Sequence, residues 1–307
     1  MDFVNITPPQ NPSDEVFLQN AHKLIKQGSN VRVENWGIED FDRLGGFFEW
    51  ANFSYILNEI PDISPSKSSL TACILTYNCE SSIEHCLINA RRYADQIIII
   101  DSESQDKTRK IVKQYTNNIF TVPNHIGFDE KRNLAIEKAN TDWIMMIDSD
   151  EAFPENGDVN IRKLMAWADI KEIEIFWFSR FWLIRDQISP LICRKGHLAL
   201  WPDPQARLMK KSINPKYVNS LHEHLKSDHA KFACLVNDPQ TTILHFKYWL
   251  YSDLDLEHLL GQRQEINPEG PDDVQLLTHS KYSYTQKLPL LRITEETRVF
   301  LHAMTEQ

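Results

Sequence analysis

Asp142-Trp143-Ile144-Met145-Met146-Ile147-Asp148-Ser149-Asp150-Glu151 is a short apolar run that ends in three carboxylates within four residues. A wholly apolar run of this length reads as a strand buried on both faces of a parallel sheet. In open α/β sheets, ligands bind beyond the carboxyl ends of the strands. Asp148-Ser149-Asp150 therefore falls where ligand chemistry is expected. Two aspartates one residue apart, on a chain leaving a strand, can both offer oxygen to one hard divalent cation that keeps positions open for phosphates. Taken alone, such a pair is more often a solvated acidic turn. The rest of the chain decides between the two.

Upstream, from Leu70 onward, apolar runs alternate with helical patterns. Residues 70–75 read as a strand and 82–93 as a helix. Residues 96–100 form a second apolar strand that ends in Asp101. A helix over 106–115 has Asp106 as its N-cap. A short strand over 119–122 is closed by Pro123, and 129–139 reads as a helix leading into the strand 143–147. Strands alternating with helices of this length indicate βαβ units, a parallel sheet and right-handed crossovers. After Glu151 the alternation weakens. Strands are expected at 172–178, 207–209 and 241–245, separated by long aromatic loops of the kind that build substrate sites.

The flanks differ from this pattern. Residues 1–13 carry Pro8, Pro9 and Pro12 and read as an irregular arm, followed by an amphipathic helix at 15–27. The aromatic stretch 47–60 is expected to pack on the main domain, and the Pro- and Ser-rich stretch 61–69 marks a boundary. Helices at 251–266 and 287–305 form a tail. The organisation expected is an N-terminal extension (1–66), an α/β domain (67–250) and a C-terminal helical tail (251–307).

The chain has 307 residues, 42% of them hydrophobic and 25% charged, as in ordinary globular proteins. A formal net charge of -10 argues against a general nucleic-acid binder, which needs a basic face for phosphates. One cation and one or two basic side chains would still suffice for a diphosphate. The five cysteines, Cys73, Cys79, Cys86, Cys193 and Cys234, form no Cys-x-x-Cys pair. That is the usage of a reduced compartment. No secretory signal and no apolar run of about 20 residues is present, so a cytoplasmic location is expected, with peripheral membrane contact left open.

Four segments stand in order at the strand ends: Thr76-Tyr77-Asn78, Asp101 through Thr108, Phe128 through Asn133, and Trp143 through Glu151. The series resembles the family 2 glycosyltransferases of GT-A fold. More narrowly, it is similar to the bacterial branch that includes lipopolysaccharide-core β-glucosyltransferases. The resemblance covers about residues 69–250. It implies a Rossmann-like, mainly parallel sheet flanked by helices, and inverting transfer of a sugar from a nucleotide-sugar donor, UDP-linked, to a saccharide or glycolipid acceptor. It also implies a Mn2+ or Mg2+ cofactor.

Residue by residue, the resemblance assigns donor binding to Thr76, Tyr77, Asn78, Asp101, Arg132, Asp148, Ser149 and Asp150. Tyr77 would stack on the base, and Asp101 would accept a hydrogen bond from it. Arg132 would face a pyrimidine carbonyl or a phosphate with its fork. Asp148 and Asp150 would hold the metal, Asp150 directly, with His245 completing the site. Glu151 is expected to support the loop, and Lys131 to be solvated. Family members often carry Glu directly after the Tyr-Asn pair, whereas this chain has Cys79 there and Glu80 one place later. The base that takes the acceptor's proton is Glu223, in Leu221-His222-Glu223-His224-Leu225, or Asp203, in Trp201-Pro202-Asp203-Pro204.

His222, His224 and His229 match no zinc spacing. Phe176-Trp177-Phe178, Phe181-Trp182 and Tyr248-Trp249-Tyr251 are core aromatics by default, with an acceptor groove as the alternative. Nucleotidyl transfer is a competing reading, but it normally needs a Gly-rich phosphate loop, and residues 73–83 contain no glycine. A phosphatase of the haloacid-dehalogenase type would carry Asp-x-Asp after the first strand, not the fourth. A non-catalytic sugar-nucleotide-binding module predicts loss of a metal ligand or base, yet Asp148, Asp150 and Glu223 are all present.

Overall fold

The structure, a computed structural model, describes residues 2–6, 29–33, 54–184, 187–190, 204–220, 223–227, 229–238 and 240–246. The expected helices at 15–27, 251–266 and 287–305, together with Cys193, Asp203, His222 and Tyr248-Trp249-Tyr251, lie outside the described residues. The side chains of Phe181 and Trp182 do as well.

The first elements are the strands β1 (Val4–Ile6), β2 (Val31–Val33) and β3 (Tyr55–Leu57). The alternating region follows as β4 (Leu70–Thr76), α1 (Ile83–Tyr93), β5 (Gln96–Asp101), α2 (Thr108–Val112), β6 (Ile119–Thr121), α3 (Phe128–Lys138) and β7 (Trp143–Asp148). Next come β8 (Glu151–Ala152), α4 (Gly157–Lys171), β9 (Ile175–Phe178), β10 (Arg180–Ile184) and β11 (Gln187–Pro190). The remaining strands are β12 (Gln205–Lys210), β13 (Lys216–Val218), β14 (His224–Lys226), β15 (Ala233–Val236) and β16 (Ile243–His245).

Ten strands form one sheet in the order β1-β2-β3-β15-β9-β12-β7-β4-β5-β6. One end, β7-β4-β5-β6, is parallel throughout, while β12 runs antiparallel to both neighbours. This is the mainly parallel α/β sheet flanked by helices that the alternation predicts. A smaller sheet, β11-β10-β16-β8, stands beside it, and β13 pairs with β14 as a hairpin.

Burial on both faces follows from side chains alternating along each strand. Leu70, Ala72, Ile74, Ile97, Ile99, Trp143, Met145 and Ile147 join the core formed with α1 and α4. Cys73, Ile98, Ile100, Ile144 and Met146 point the other way, into the core formed with α3. Phe176 and Phe178 are fully buried, as the core reading expects.

The described part of the N-terminal extension does not form a separate core. β3 pairs in parallel with β15, and Tyr55 packs edge-on against Trp167 of α4 at 5.2 Å between ring centroids. Phe3 stacks on the same indole at 6.2 Å.

Several elements differ from expectation: the strands β1, β2, β3, β8, β10, β11, β13, β14 and β15 were not expected, and two helices depart from the reading. Residues 157–171 form a helix that the weakened alternation hid, although Ile161, Leu164, Met165 and Ala168 have helical spacing and are buried. It ends at Glu172, whose φ of 57° is left-handed, so β9 begins at Ile175 and not at 172. The second helix is shorter than 106–115. Asp106 does accept the Thr108 amide at 2.9 Å, and Val112 closes the α-helical part.

Candidate active site

Register places the chemistry. In the parallel ladder Thr76 lies opposite Asp101, and Leu75 lies opposite Asp148, so β4, β5 and β7 end at one edge. That edge is the carboxyl end, where the apolar runs stop and the chain turns back toward the helices.

The turns after β4 and β5 are joined by hydrogen bonds from neutral donors around the Asp101 carboxylate. Its carboxylate is almost fully buried. Oδ1 accepts from the Thr76 hydroxyl at 3.0 Å and the Ser104 hydroxyl at 2.6 Å, and Oδ2 accepts from the Ser104 amide at 3.1 Å. Arg109 Nε stands 3.6 Å from Oδ2. The Asn78 side chain accepts the Gln105 amide at 2.8 Å, and the Asn78 amide donates to the Ser104 hydroxyl at 3.0 Å. Asn78 and Glu103 both hold positive φ, 43° and 59°. Tyr77 is half-buried beside this junction. Cys79 sits behind it, and burial pushes its thiol up to about 12, against the hydrogen bonds of Ser149 and Thr108.

The turn after β7 is held by charge. Asp148 Oδ1 accepts from Arg132 Nη2 at 3.0 Å and from Arg207 Nη1 at 3.4 Å, and Oδ2 accepts from Arg207 Nη2 at 2.7 Å. Arg207 Nη2 also donates to Glu151 Oε1 at 2.8 Å, which accepts in turn from Arg180 Nη1 at 2.9 Å. Glu151 Oε2 takes the Asp148 amide at 3.0 Å, so Glu151 supports the loop as expected. On the other side, Arg132 Nε donates to Glu223 Oε1 at 3.0 Å. Acid and base therefore alternate along one chain: Glu223, Arg132, Asp148, Arg207, Glu151, Arg180. Burial would raise the Asp148 carboxyl, but Arg207 and Arg132 outweigh it and hold it well below the ordinary value of 3.8. Burial works against the charge of Arg207 too, and Asp148 and Glu151 more than compensate.

Asp150 is held differently. Its carbonyl accepts the Phe246 amide at 2.9 Å, and its Oδ2 lies 3.3 Å from His245 Nε2. The register of β8 and β16, with His245 opposite Glu151, brings this imidazole to the turn. Asp148, Asp150 and His245 are thus neighbours on one turn, but the Asp148 oxygens go to arginines and only Asp150 meets His245. Among the described residues, no group of three or more His, Cys, Asp or Glu side chains is arranged to hold a metal ion. His224 and His229 are exposed.

Glu223 is positioned by the β13–β14 hairpin. The Phe128 amide donates to the Ser220 carbonyl at 3.0 Å, and a Cβ on Gly127 would stand 2.8 Å from the Ser220 Cβ. Only glycine allows that approach. Asn133 exchanges hydrogen bonds with the Tyr217 backbone at 2.8 Å, and the Tyr217 ring lies 5.4 Å from the Arg132 guanidinium.

Lys131 departs from expectation. It is 2% exposed, donates to the Asn124 carbonyl at 2.9 Å and lies over the Phe128 ring. Burial pulls its ammonium down to about 8, with Glu223 opposing. A lysine at the start of an amphipathic helix ordinarily faces water. Here the loop before α3 folds back over it.

Sequence reasoning passed over Arg180 and treated Arg207 only as part of a strand. The available signal was physical: an arginine inside an aromatic strand, such as Phe178-Ser179-Arg180-Phe181, is rarely buried unless paired. Among the described residues, no helix is long and apolar enough to cross a membrane. Cys73, Cys79, Cys86 and Cys234 are free and buried.

Residues 71–184 match the family model described as Glycosyl transferase family 2. The chain is 33% identical over 97 residues to an uncharacterized glycosyltransferase of Rickettsia bellii, a match covering 32% of this chain and 33% of that protein. It is also 33% identical over 91 residues to the O-antigen chain rhamnosyltransferase of Salmonella anatum, covering 28% of this chain and 29% of that one. The matched region spans about a third of the length of these curated relatives. Among solved structures, a mannosyltransferase of Pyrobaculum calidifontis in complex with GDP-Man and Mn2+ aligns at TM-score 0.43 and 13% identity, over 80% of this chain and 72% of that chain. From β4 to the strand that carries Arg180, the chain is thus similar to the Glycosyl transferase family 2 domain.

Proposed function

We propose that the protein is an inverting, metal-dependent glycosyltransferase of the hexosyltransferase type, moving a sugar from a UDP-sugar to a saccharide or glycolipid acceptor. The observation that carries this reading is the convergence of Asp101, Asp148 and Asp150 at one carboxyl edge, inside the segment that matches the family model. The GT-A reading of the sheet rests on the same edge.

Tyr77, half-exposed next to the Asp101 junction, offers a ring for the base, while Thr76, Asn78 and Asp101 shape the base side of the cleft. Arg132 offers a guanidinium whose Nη1 has no hydrogen-bond partner among the described residues. Such a buried donor suits a phosphate oxygen. A divalent cation, Mn2+ or Mg2+, fits Asp150 and His245, which present oxygen and imidazole nitrogen 3.3 Å apart. That mixed set suits Mn2+ better than Mg2+, which prefers oxygen alone. When bound, the cation stabilises the charge that develops on the leaving diphosphate. Ser149, between the two aspartates, lies against the diphosphate.

Glu223 takes the proton of the attacking hydroxyl through Oε2, since Oε1 is already engaged by Arg132. Asp203 is the other candidate for this step.

The test is thermal stability and donor turnover with UDP-sugars, with and without Mn2+. UDP and Mn2+ together raise the melting temperature of the wild type, because a ligand of the folded state stabilises it. Asp150→Asn removes the Mn2+-dependent part and lowers turnover at least about a hundredfold. Glu223→Gln keeps nucleotide binding and loses transfer. No stabilisation by any nucleotide sugar with Mn2+ would refute the reading.

A further inference from the structure

We propose that the outer face of the β13–β14 hairpin, with Lys216, Lys226 and His224, docks on a bilayer surface that carries anionic headgroups. The lipid contact stands on the hairpin alone, whereas what it delivers to the site rests on the glycosyltransferase reading.

Register and burial divide the hairpin into two faces. Lys216 lies opposite Lys226, Tyr217 opposite Leu225, and Val218 opposite His224. Side chains alternate along a strand, so Tyr217 and Leu225 share one face, and Lys216, Val218, His224 and Lys226 share the other. Tyr217 and Leu225 pack into the core formed with α3. Lys216, His224 and Lys226 are exposed. Glu223, just before β14, belongs to the inner side, where Arg132 engages its Oε1.

The inner side fixes the hairpin in place. The Tyr217 hydroxyl donates to the Ala206 carbonyl at 3.0 Å, and the Ser227 hydroxyl donates to the Ile213 carbonyl at 2.5 Å. The outer face adds nothing to this hold. Among the described residues, Lys216 and Lys226 are the one cross-strand pair of like charges, and the side chains of Lys216, Lys226 and His224 have no hydrogen-bond or ion-pair partner. Like charges directly opposite destabilise a sheet. One lysine already blunts a strand edge against pairing, so edge protection does not account for two that face each other. An anion that meets both does.

The sequence around the pair has the same sign. Residues 211–231 carry four lysines and three histidines against two carboxylates, in a chain of net charge -10. One of those carboxylates, Glu223, is taken by Arg132. A two-stranded ribbon presents its lysines on an open face, which suits a plane of headgroups better than one enclosed phosphate. Among the described residues no helix is long and apolar enough to cross a membrane, so this contact is peripheral. With the outer face on the headgroups, only the thickness of the ribbon separates Glu223 from the lipid surface. The sugar of a glycolipid rising past the hairpin edge then reaches the base.

The test is sedimentation of the full chain with vesicles of phosphatidylcholine, alone or with about 30% phosphatidylglycerol. The mixed vesicles bind the wild type at least about tenfold more strongly, and added salt weakens that binding. Lys216→Gln and Lys226→Gln each weaken it about fivefold, and the double variant about twenty-fivefold. Lys226→Arg retains it, as does Lys171→Gln on α4, at the other face of the large sheet. The glutamine variants relieve a repulsion and melt no lower than the wild type, which separates lost binding from lost folding. Equal binding to both vesicles, or a double variant that binds like the wild type, overturns the proposal. So does inorganic phosphate raising the melting temperature of the wild type and not of the double variant, in place of vesicle binding. A wild-type dimer that the double variant dissociates, again in place of vesicle binding, assigns the face to a second copy and overturns it too. Vesicle binding without turnover of any UDP-sugar leaves this contact standing and refutes the glycosyltransferase reading, and turnover without vesicle binding does the reverse.

Discussion

At one side of the carboxyl edge, the turns after β4 and β5 are tied by hydrogen bonds among hydroxyls, amides and one carboxylate. At the other side, the turn after β7 is tied by three arginines and three carboxylates. The two halves meet at adjacent strands of one sheet, so the difference lies in the partners and not in the scaffold. The neutral half tolerates backbone strain: Asn78 and Glu103 both sit at positive φ. The ionic half shows no positive φ among Asp148 to Glu151, but it carries buried charges whose desolvation must be offset pair by pair. A hydrogen-bonded junction shapes a surface, whereas an alternating ion chain fixes where each charge stands.

The comparison breaks most readily on the ionic side. Arg207→Met leaves Asp148 and Glu151 short of a partner and costs about 3–5 kcal/mol in urea unfolding, as expected for half of a buried pair. Asp101→Asn is the matching change on the neutral side. Its amide cannot accept both the Ser104 amide and the two hydroxyls, and the cost is about 1–3 kcal/mol by the same measurement. Similar losses for the two variants would mean that the ionic half is no more demanding than the neutral one.

Two pH windows sharpen the contrast. The Asp148 carboxyl titrates well below 3.8 in the folded protein, so its ion pairs contribute fully above that pH. Their contribution is lost as pH falls below 3.8 through the folded value. Chemical denaturation at stepped pH should show this acid limb, and Asp148→Asn should flatten it. Lys131 works in the opposite sense. Burial lowers it from 10.5 to about 8, so between those values the unfolded chain holds a proton that the folded chain has released. Stability therefore rises with pH from about 8 toward 10.5 on account of this residue, and Lys131→Met removes that rise.

The smallest effect is a gain. Glu103→Gly relieves a left-handed residue and should stabilise the protein by about 1 kcal/mol in thermal unfolding. A loss instead would show that the exposed Glu103 side chain has a partner worth more than the strain.

Much of the scaffold was legible because hydrophobic period reports burial directly. The runs ending in Thr76, Asp101 and Asp148 were readable as parallel strands, and their last polar residues as the edge of a site. Helix α4 was legible in principle, through Ile161, Leu164, Met165 and Ala168. It was obscured by the loop-rich sequence around it. Lys131 was misread because its burial comes from residues 124–128 folding over it, which no helical spacing records.

The chain's own order of residues determined that a sheet forms from residue 70 onward and that Asp101, Asp148 and Asp150 leave it at one end, since apolar periodicity and local turn chemistry are properties of neighbours in sequence. The tertiary structure decided which partner each of those carboxylates meets. Arg207 meets Asp148 across 59 residues, Glu223 meets Arg132 across 91, and His245 meets Asp150 across 95 (245 − 150). Charges at such separations find one another only through strand register and the packing of the β13–β14 hairpin on α3, and the field they make there belongs to the fold.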